Sequence, residues 1–446
     1  MKLTEVIYVH PRTPMTYGRN IPISVPALIK RVEVPINGYC YSDLSNEAIL
    51  HAKICMIDIH WFFSLKGAKE LVSRLKRIND KIIVICGGIT STEFPKQIIN
   101  QINIDYVVRG DGEGPLPLLI KALMEDGKGL ESVPNLIGKD NFSTLFKVKP
   151  YSLTKEDFNL NEFYDIDFFP MMKQELMKMH KNNPGYPPFV FPFILPFRGC
   201  PIECDFCGGA PKEQSKLFNR KVIYRTSDRL QEDFNVLESQ EWITFYNCLL
   251  DFVTLMSPNY VKMALPLKKS RLKTQYEFTK APSMELLDLF LSKFSGGMIH
   301  FSVDKMHLTS ERLNDPEHMV KLIKLTQNKY PEYMPILDFS SVYAYSNPQY
   351  YNAIRYIIKK TNCYLYDGSI WWSDFPKPDQ QGYGDQEKFD YFLNNALSYK
   401  HRISNSMVSI MNFIDNNFPL YFKKAVRKSY YGYYYKVPFL MNKGWK

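Results

Sequence analysis

Over its first 140 residues this chain alternates short apolar runs with stretches whose apolar residues recur at helical spacing. The pattern predicts strands at 5–9, 54–59, 81–86 and 106–108, and helices at 22–32, 65–78, 93–100 and 116–125. The helical period is plainest at 65–78, where Leu71, Val72, Leu75 and Ile78 fall on one face. Lys81-Ile-Ile-Val-Ile-Cys86 is instead a continuous apolar run, as expected of a strand covered on both faces. Such strands between helices predict an α/β, doubly wound, Rossmann-like parallel sheet.

Residues 141–188 lose this regularity and carry Pro150, Pro170, Pro184, Pro187 and Pro188, which reads as a linker between domains. A second alternation follows. Strands are expected at 189–197, 242–247, 273–279, 299–304, 334–341 and 364–371, with helices at 227–238, 284–293, 318–328 and 350–360. Six strands with intervening helices predict a partial (βα)6 barrel. Beyond Pro376 the chain reads as helical over 386–418 and then as a basic, Tyr-rich tail. The expected domains are therefore 1–140, a linker at 141–188, the barrel at 189–375 and a helical region at 376–446.

Composition adds few constraints. A chain of 446 residues exceeds one ordinary core, so two or three domains are expected. Eight cysteines in this length do not make a disulfide scaffold. The N-terminus alternates like a strand and lacks the apolar core of a signal peptide. No apolar run reaches about 18 residues, the length that suggests a membrane span. The expectation is a cytoplasmic protein with no membrane partner. The net charge of +10 is concentrated late: residues 416–446 hold seven Lys/Arg and no acid. Six tyrosines lie among them. They read as packing residues beside a solvated basic face, and no nucleic-acid motif accompanies them.

Three cysteines lie within eight residues, in Phe197-Arg-Gly-Cys-Pro-Ile-Glu-Cys-Asp-Phe-Cys-Gly-Gly209. Thiolates select iron–sulfur clusters or zinc. A structural zinc takes four protein ligands, and the nearest further Cys or His in sequence are His180 and Cys248. Cys200, Cys204 and Cys207 can wrap three corners of a [4Fe–4S] cube. This CxxxCxxC loop, entered from an apolar strand, resembles the signature of the radical S-adenosylmethionine (SAM) superfamily. The resemblance implies that SAM chelates the open iron and is cleaved reductively to a 5′-deoxyadenosyl radical. It implies SAM contacts at Phe206 and Gly208 in the loop, and at Asn247, Glu277, Ser302 and Asp304 on later strands. Arg225 resembles the segment that joins the loop to the first long helix. The Gly-Gly-Glu element common on the second strand is absent; Phe245-Tyr-Asn-Cys248 stands there.

The N-terminal half carries a second resemblance. Val6-Ile-Tyr-Val-His-Pro11, Ile21-Pro-Ile-Ser-Val-Pro26, Val84-Ile-Cys-Gly-Gly88, Asp105-Tyr-Val-Val-Arg-Gly-Asp-Gly-Glu113 and Val133-Pro-Asn-Leu-Ile-Gly138 occur in that order. They look like the cobalamin (B12)-binding domain of B12-dependent radical SAM enzymes, so the resemblance covers roughly residues 1–375. It implies cobalamin contacts at Ser64, Gly87, Gly88, Gly110 and Glu113. The Asp-x-His-x-x-Gly loop, whose His binds cobalt in many B12 proteins, is missing. His10 and His60 stand near where such a ligand would come from.

The resemblance implies a metal-binding, iron–sulfur radical SAM enzyme, cobalamin-dependent and methylating an unactivated carbon. The cofactors expected are a [4Fe–4S] cluster, SAM and cobalamin; the partners are a small-molecule or peptide substrate and a reductant such as flavodoxin or ferredoxin. A B12-independent or non-methylating radical reaction, such as cyclisation or oxidation, is the alternative. A non-catalytic iron–sulfur or nucleic-acid-binding protein is a third. Trp371 and Trp372 could line a pocket for a flat substrate or pack on the C-terminal helix. Cys40, Cys55, Cys86, Cys248 and Cys363 read as plain buried thiols.

Overall fold

The computed structural model describes residues 2–12, 22–60, 62–145, 147–182, 191–202, 211–248, 250–303, 313–339, 348–367 and 386–394. They fall into two compact units. The first takes the described residues of Met1–Leu176, Pro211–Ile223 and Pro376–His401; the second takes those of Met177–Ala210 and Tyr224–Phe375.

The first unit is built on β1 (Val6–His10), β2 (Ile36–Cys40), β3 (Ile54–Asp58), β4 (Ile83–Gly87), β5 (Tyr106–Val108) and β6 (Leu136–Gly138). Their order is β2-β1-β3-β4-β5-β6; all neighbours run parallel except β5 and β6. From β1 the chain crosses outward in both directions, which makes a doubly wound sheet with its topological switch point between β1 and β3. β1 and β3 are buried along their whole length, matching their near-continuous apolar sequences. Helix Leu65–Ile78 lays Leu65, Leu71, Val72 and Leu75 on a core that includes Val9, Ile57 and Val84.

Several expectations need correction here. The helix expected at 93–100 is two helices, Ile89–Glu93 and Pro95–Ile102. Phe94 between them leaves helical geometry, at φ −116° and ψ 47°, because the residue before a proline is disfavoured in the helical region. β2 was not expected: Ile-Asn-Gly-Tyr-Cys has too few apolar residues to read as a strand. The segment read as a linker contains helices Lys155–Leu160 and Pro170–Asn182, and its residues up to Leu176 belong to the first unit. The helix expected at 386–418 is present over Gln386–Asn394; Phe389 packs on Phe94 at 4.9 Å between ring centres. The rest of it, and the basic tail, lie outside the described residues.

β7 (Phe197–Arg198) and β8 (Ile223–Tyr224), which precede the main sheet of the second unit in sequence, pair as a ribbon and flank the cysteine loop along the chain. The main sheet holds β9 (Phe245–Cys248), β10 (Lys273–Phe278), β11 (Gly297–Ser302), β12 (Tyr333–Phe339) and β13 (Tyr364–Asp367). All are parallel and lie side by side in chain order. With right-handed crossovers, this winding keeps every connecting helix on one side, as in a barrel wall. The packing agrees: Tyr246, Tyr276 and Phe278 face the helices, with Phe234–Tyr246 at 5.2 Å and Tyr276–Phe290 at 4.4 Å between ring centres.

The strand expected at 189–197 differs. Its described part joins the sheet at one point, where Phe193 bridges Asn247 in parallel, and becomes regular only at β7. Pro192 and Pro196 supply no N–H, so a continuous ladder is impossible there. Asn247 N–H still donates to the Pro192 carbonyl at 3.0 Å, and Ile194 N–H to the Asn247 carbonyl at 2.8 Å. The segment thus stands as a sixth, irregular member beside β9.

Phe290 is fully buried where three aromatic contacts meet, whereas Leu267 is 80% exposed. Phe290→Ala should cost about 3–5 kcal/mol. Leu267→Ala should stay within about 0.5 kcal/mol. Denaturant unfolding followed by near-UV signal of the second unit checks both.

Candidate functional site

In the first unit β1, β3 and β4 end together at His10, Asp58 and Gly87. A polar side chain closing an apolar strand can be desolvated only if another polar group meets it. Here His10 Nδ1 lies 2.8 Å from Asp58 Oδ1, and the Tyr8 hydroxyl donates to the same oxygen at 2.7 Å. Burial opposes the charge on Asp58, but His10, Tyr8 and His60 outweigh it and hold its carboxyl below the usual range. Burial, and then Asp58, push the Tyr8 phenol well up. Three buried polar atoms in this region have no partner among the described residues: His10 Nε2, Asp58 Oδ2 and Ser64 Oγ.

The glycines divide. A Cβ on Gly87 would meet nothing nearer than the Val108 carbonyl oxygen at 3.8 Å, so the end of β4 is open to a neighbour. Gly88 has a structural requirement of its own. Its φ is +112°, and a Cβ there would lie 2.6 Å from the Ile59 carbonyl oxygen. Gly88 is needed for the turn out of β4 and the close approach of the backbone after β3. Gly110, at φ +76°, donates its N–H to Thr92 Oγ1 at 2.9 Å. Its neighbours are tied down within the fold: Asp111 takes a two-point contact from Arg220, and Glu113 accepts from Asn161 at 3.1 Å.

The face of the second sheet away from the helices is polar. Alternation along each strand and the parallel register place Asn247 beside Gln275, Glu277 beside His300, and Ser302 beside Asp338. His300 Nδ1 lies 2.9 Å from Asp338 Oδ1, and its Nε2 lies 3.4 Å from Gln275 Nε2. Burial disfavours charge on His300, yet Asp338 and Glu277 raise its pKa. Burial, then the charge of Asp338, push the Glu277 carboxyl up to about 8, with His300 pulling the other way. The Ser302 carbonyl accepts from Asn314 Nδ2 at 2.9 Å. Asn247, Glu277 and Ser302, expected from sequence, therefore share one face. Gln275, His300 and Asp338 lie on the same face and were not singled out from sequence; the alternating polar positions 273, 275 and 277 of β10 and 300 and 302 of β11 signalled the first two.

Cys200 is half-buried beside β7. Cys204, Cys207, Phe206, Gly208 and Asp304 lie outside the described residues, as do Trp371 and Trp372. The two residues nearest in sequence that could have completed a zinc site are otherwise engaged. The Thr244 N–H donates to His180 Nδ1 at 3.1 Å, and His180 Nε2 donates to the Phe191 carbonyl at 3.1 Å. Burial pushes the Cys248 thiol far up, which disfavours the thiolate a metal needs. Arg225 is buried against Asp233 through both carboxylate oxygens, a structural pair.

Comparison with known proteins agrees with this division. Residues 32–120 match the family model described as B12 binding domain. A curated relative, the uncharacterized methyltransferase PH0819 of Pyrococcus horikoshii, is 27% identical over 198 residues, 44% of this chain. That match spans 39% of the relative's own length. The fold resembles TsrM of Kitasatospora setae, a radical SAM methyltransferase solved with tryptophan substrate and a SAM analog. The TM-score is 0.58 at 13% identity, covering 81% of this chain and 72% of that one. It also resembles OxsB, a cobalamin-dependent SAM radical enzyme solved with aqua-cobalamin and SAM, with TM-score 0.55 and 12% identity over 91% of this chain and 56% of that one. The chain therefore has the fold of the cobalamin-dependent radical SAM enzymes. More particularly, a doubly wound sheet whose residues 32–120 match the B12 binding domain model is followed by a parallel half-barrel. No helix among the described residues is long and apolar enough to cross a membrane.

The raised Glu277 pKa has a thermodynamic consequence. Unfolded, Glu277 titrates near about 4.3; folded, near about 8. Between these values the folded state holds a proton that the unfolded state has lost, so Glu277 makes stability fall as pH rises. Glu277→Gln should remove this slope. The denaturant midpoint of the variant, relative to the parent, should rise between pH 5 and pH 8.

Proposed function

We propose that the chain is a cobalamin-dependent radical SAM methyltransferase acting on an unactivated carbon of a small-molecule or peptide substrate. The observation that carries this reading is the pairing of two sites in one chain. One is the edge of a B12-type sheet with an unpartnered buried Ser64 hydroxyl and open space at Gly87. The other is a parallel half-barrel entered through the CxxxCxxC loop and polar on its free face.

Cys200, Cys204 and Cys207 would hold the [4Fe–4S] cluster, which supplies the electron that cleaves SAM. Cobalamin supplies the methyl-transfer centre. Ser64 would hydrogen-bond the cofactor, and Gly87 would leave room for its tail. Asn247, Glu277 and Ser302 would bind SAM from the polar face of the half-barrel, with Asp304 following β11. A reductant of flavodoxin or ferredoxin type would reload the cluster.

Protein made anaerobically with cobalamin supplied should hold about one cobalamin and one cluster per chain and form 5′-deoxyadenosine from SAM under reduction. Cys200→Ala should lower that product to background while cobalamin stays bound. Iron without cobalamin would remove the B12-dependent part of the reading; neither cofactor would remove it all. Gly87→Leu should weaken cobalamin binding without moving the unfolding midpoint. Gly88→Ala should lower the midpoint, by about 1–3 kcal/mol of backbone strain, as read by thermal unfolding.

A further inference from the structure

The segment that leaves the cysteine loop does not stay with the unit it comes from. Residues Met177–Ala210 and Tyr224–Phe375 belong to the second unit, but Pro211–Ile223 between them belongs to the first. Three ties attach it there. Helix Pro211–Phe218 packs on helix Ile89–Glu93, with Leu217 buried. The Ser152 hydroxyl donates to the Asn219 carbonyl at 3.1 Å. Arg220 donates to Asp111 through Nε at 2.6 Å and through Nη2 at 3.3 Å, with both side chains almost fully buried. Taking a charge out of water is costly unless its partner comes with it, so a half-formed buried pair is disfavoured. The segment is docked or released as a whole.

Its docking surface is the part of the first sheet's edge that leads out of β4 and β5. Gly87 ends β4, and helix Ile89–Glu93 begins two residues later. Thr92 of that helix holds the turn after β5. Its hydroxyl accepts from the Gly110 N–H at 2.9 Å, and its carbonyl accepts from Arg109 Nε at 2.8 Å. Asp111 follows directly. A contiguous set of contacts therefore runs from the open end of β4 through Thr92 and Asp111 to Arg220. In sequence, Pro211 stands four residues after Cys207, at most about 14 Å of extended chain. With Pro211–Ile223 docked, the last cysteine of the loop has only that length of chain to move on.

We propose that Arg220 and Asp111 are positioning residues that couple the two cofactors. Docking of Pro211–Ile223 holds the cysteine loop in its cluster-binding form, and cobalamin at the end of β4 strengthens that docking. The inference rests on the cobalamin reading above. A ligand stabilises the state it binds, so cobalamin that orders the turns after β4 and β5 also favours the docked segment built on them. The cluster is then retained better when cobalamin is present.

The test is the rate at which the full-length, cluster-loaded protein gives up iron to a chelator, with and without cobalamin, followed by the loss of cluster absorbance. Cobalamin should slow the loss by at least about fivefold, the lower end of ordinary coupling between sites. In Arg220→Gln and in Asp111→Asn that ratio should fall to near one, and the double variant should add nothing to either single one. Arg220→Lys, which keeps the charge but not the two-point contact, should keep part of the ratio. A purely structural pair would speed iron loss equally with and without cobalamin and leave the ratio as it was; that result overturns the proposal and assigns the protection to direct cover of the cluster. Equal rates in the unsubstituted protein also overturn it, and leave cobalamin binding standing. A protein that takes up no cobalamin would overturn both readings. Where the Gln and Asn variants fail to fold, Arg220→Lys decides in their place, and a ratio as large as the parent's would sink the idea.

Discussion

Parallel pairing delivers every strand end to the same edge of a sheet, and this constraint organises both halves of the molecule. The strands of the first unit are apolar along their length because helices cover both faces. Polar chemistry can therefore enter only where the strands stop. β1 and β3 stop side by side, so His10 and Asp58 are brought together by backbone register, 48 positions apart in sequence.

The second unit solves the same problem differently. Its strands follow one another in chain order, so one face of the sheet takes all the helices and the other is released. Alternation then sorts the strands: Tyr246, Tyr276 and Phe278 to the helices, Asn247, Gln275, Glu277 and His300 to the free face. Burial, and then the charge of Asp338, raise Glu277 there, with His300 opposing. Two further buried ion pairs, Arg225 with Asp233 and Arg220 with Asp111, are each made through both carboxylate oxygens.

Much of this was legible from the residues. Runs such as Lys81-Ile-Ile-Val-Ile-Cys86 announce covered parallel strands, and the helix at 65–78 appears with the bounds its period predicts. What escaped notice depends on neighbours the sequence does not name. β2 is a strand because β1 offers it a ladder, since Ile-Asn-Gly-Tyr-Cys has little apolar character of its own. The segment 189–197 looks like the strongest strand in the chain, yet two prolines deny it a ladder. Among candidate site residues, motif resemblance singled out Ser64, with its unpartnered hydroxyl, Gly87 at the open end of β4 and Glu277 on the polar face. It did not find Asp58, whose importance comes from facing His10. Nor did it show that Gly88 is required by the turn itself.

The pairing of Arg220 with Asp111 carries one more implication. Residues Pro211–Ile223 belong to the first unit although the segments before and after them belong to the second. The polypeptide thus returns to its first half just after the cysteine loop and again at Gln386–Asn394. No single cut yields two complete halves. A gene split at residue 140 or at residue 188 would part Asp111 from Arg220, and Phe94 from Phe389. The two halves are then one unit of inheritance: recombination could not exchange either for a homologous copy at a single crossover without breaking both.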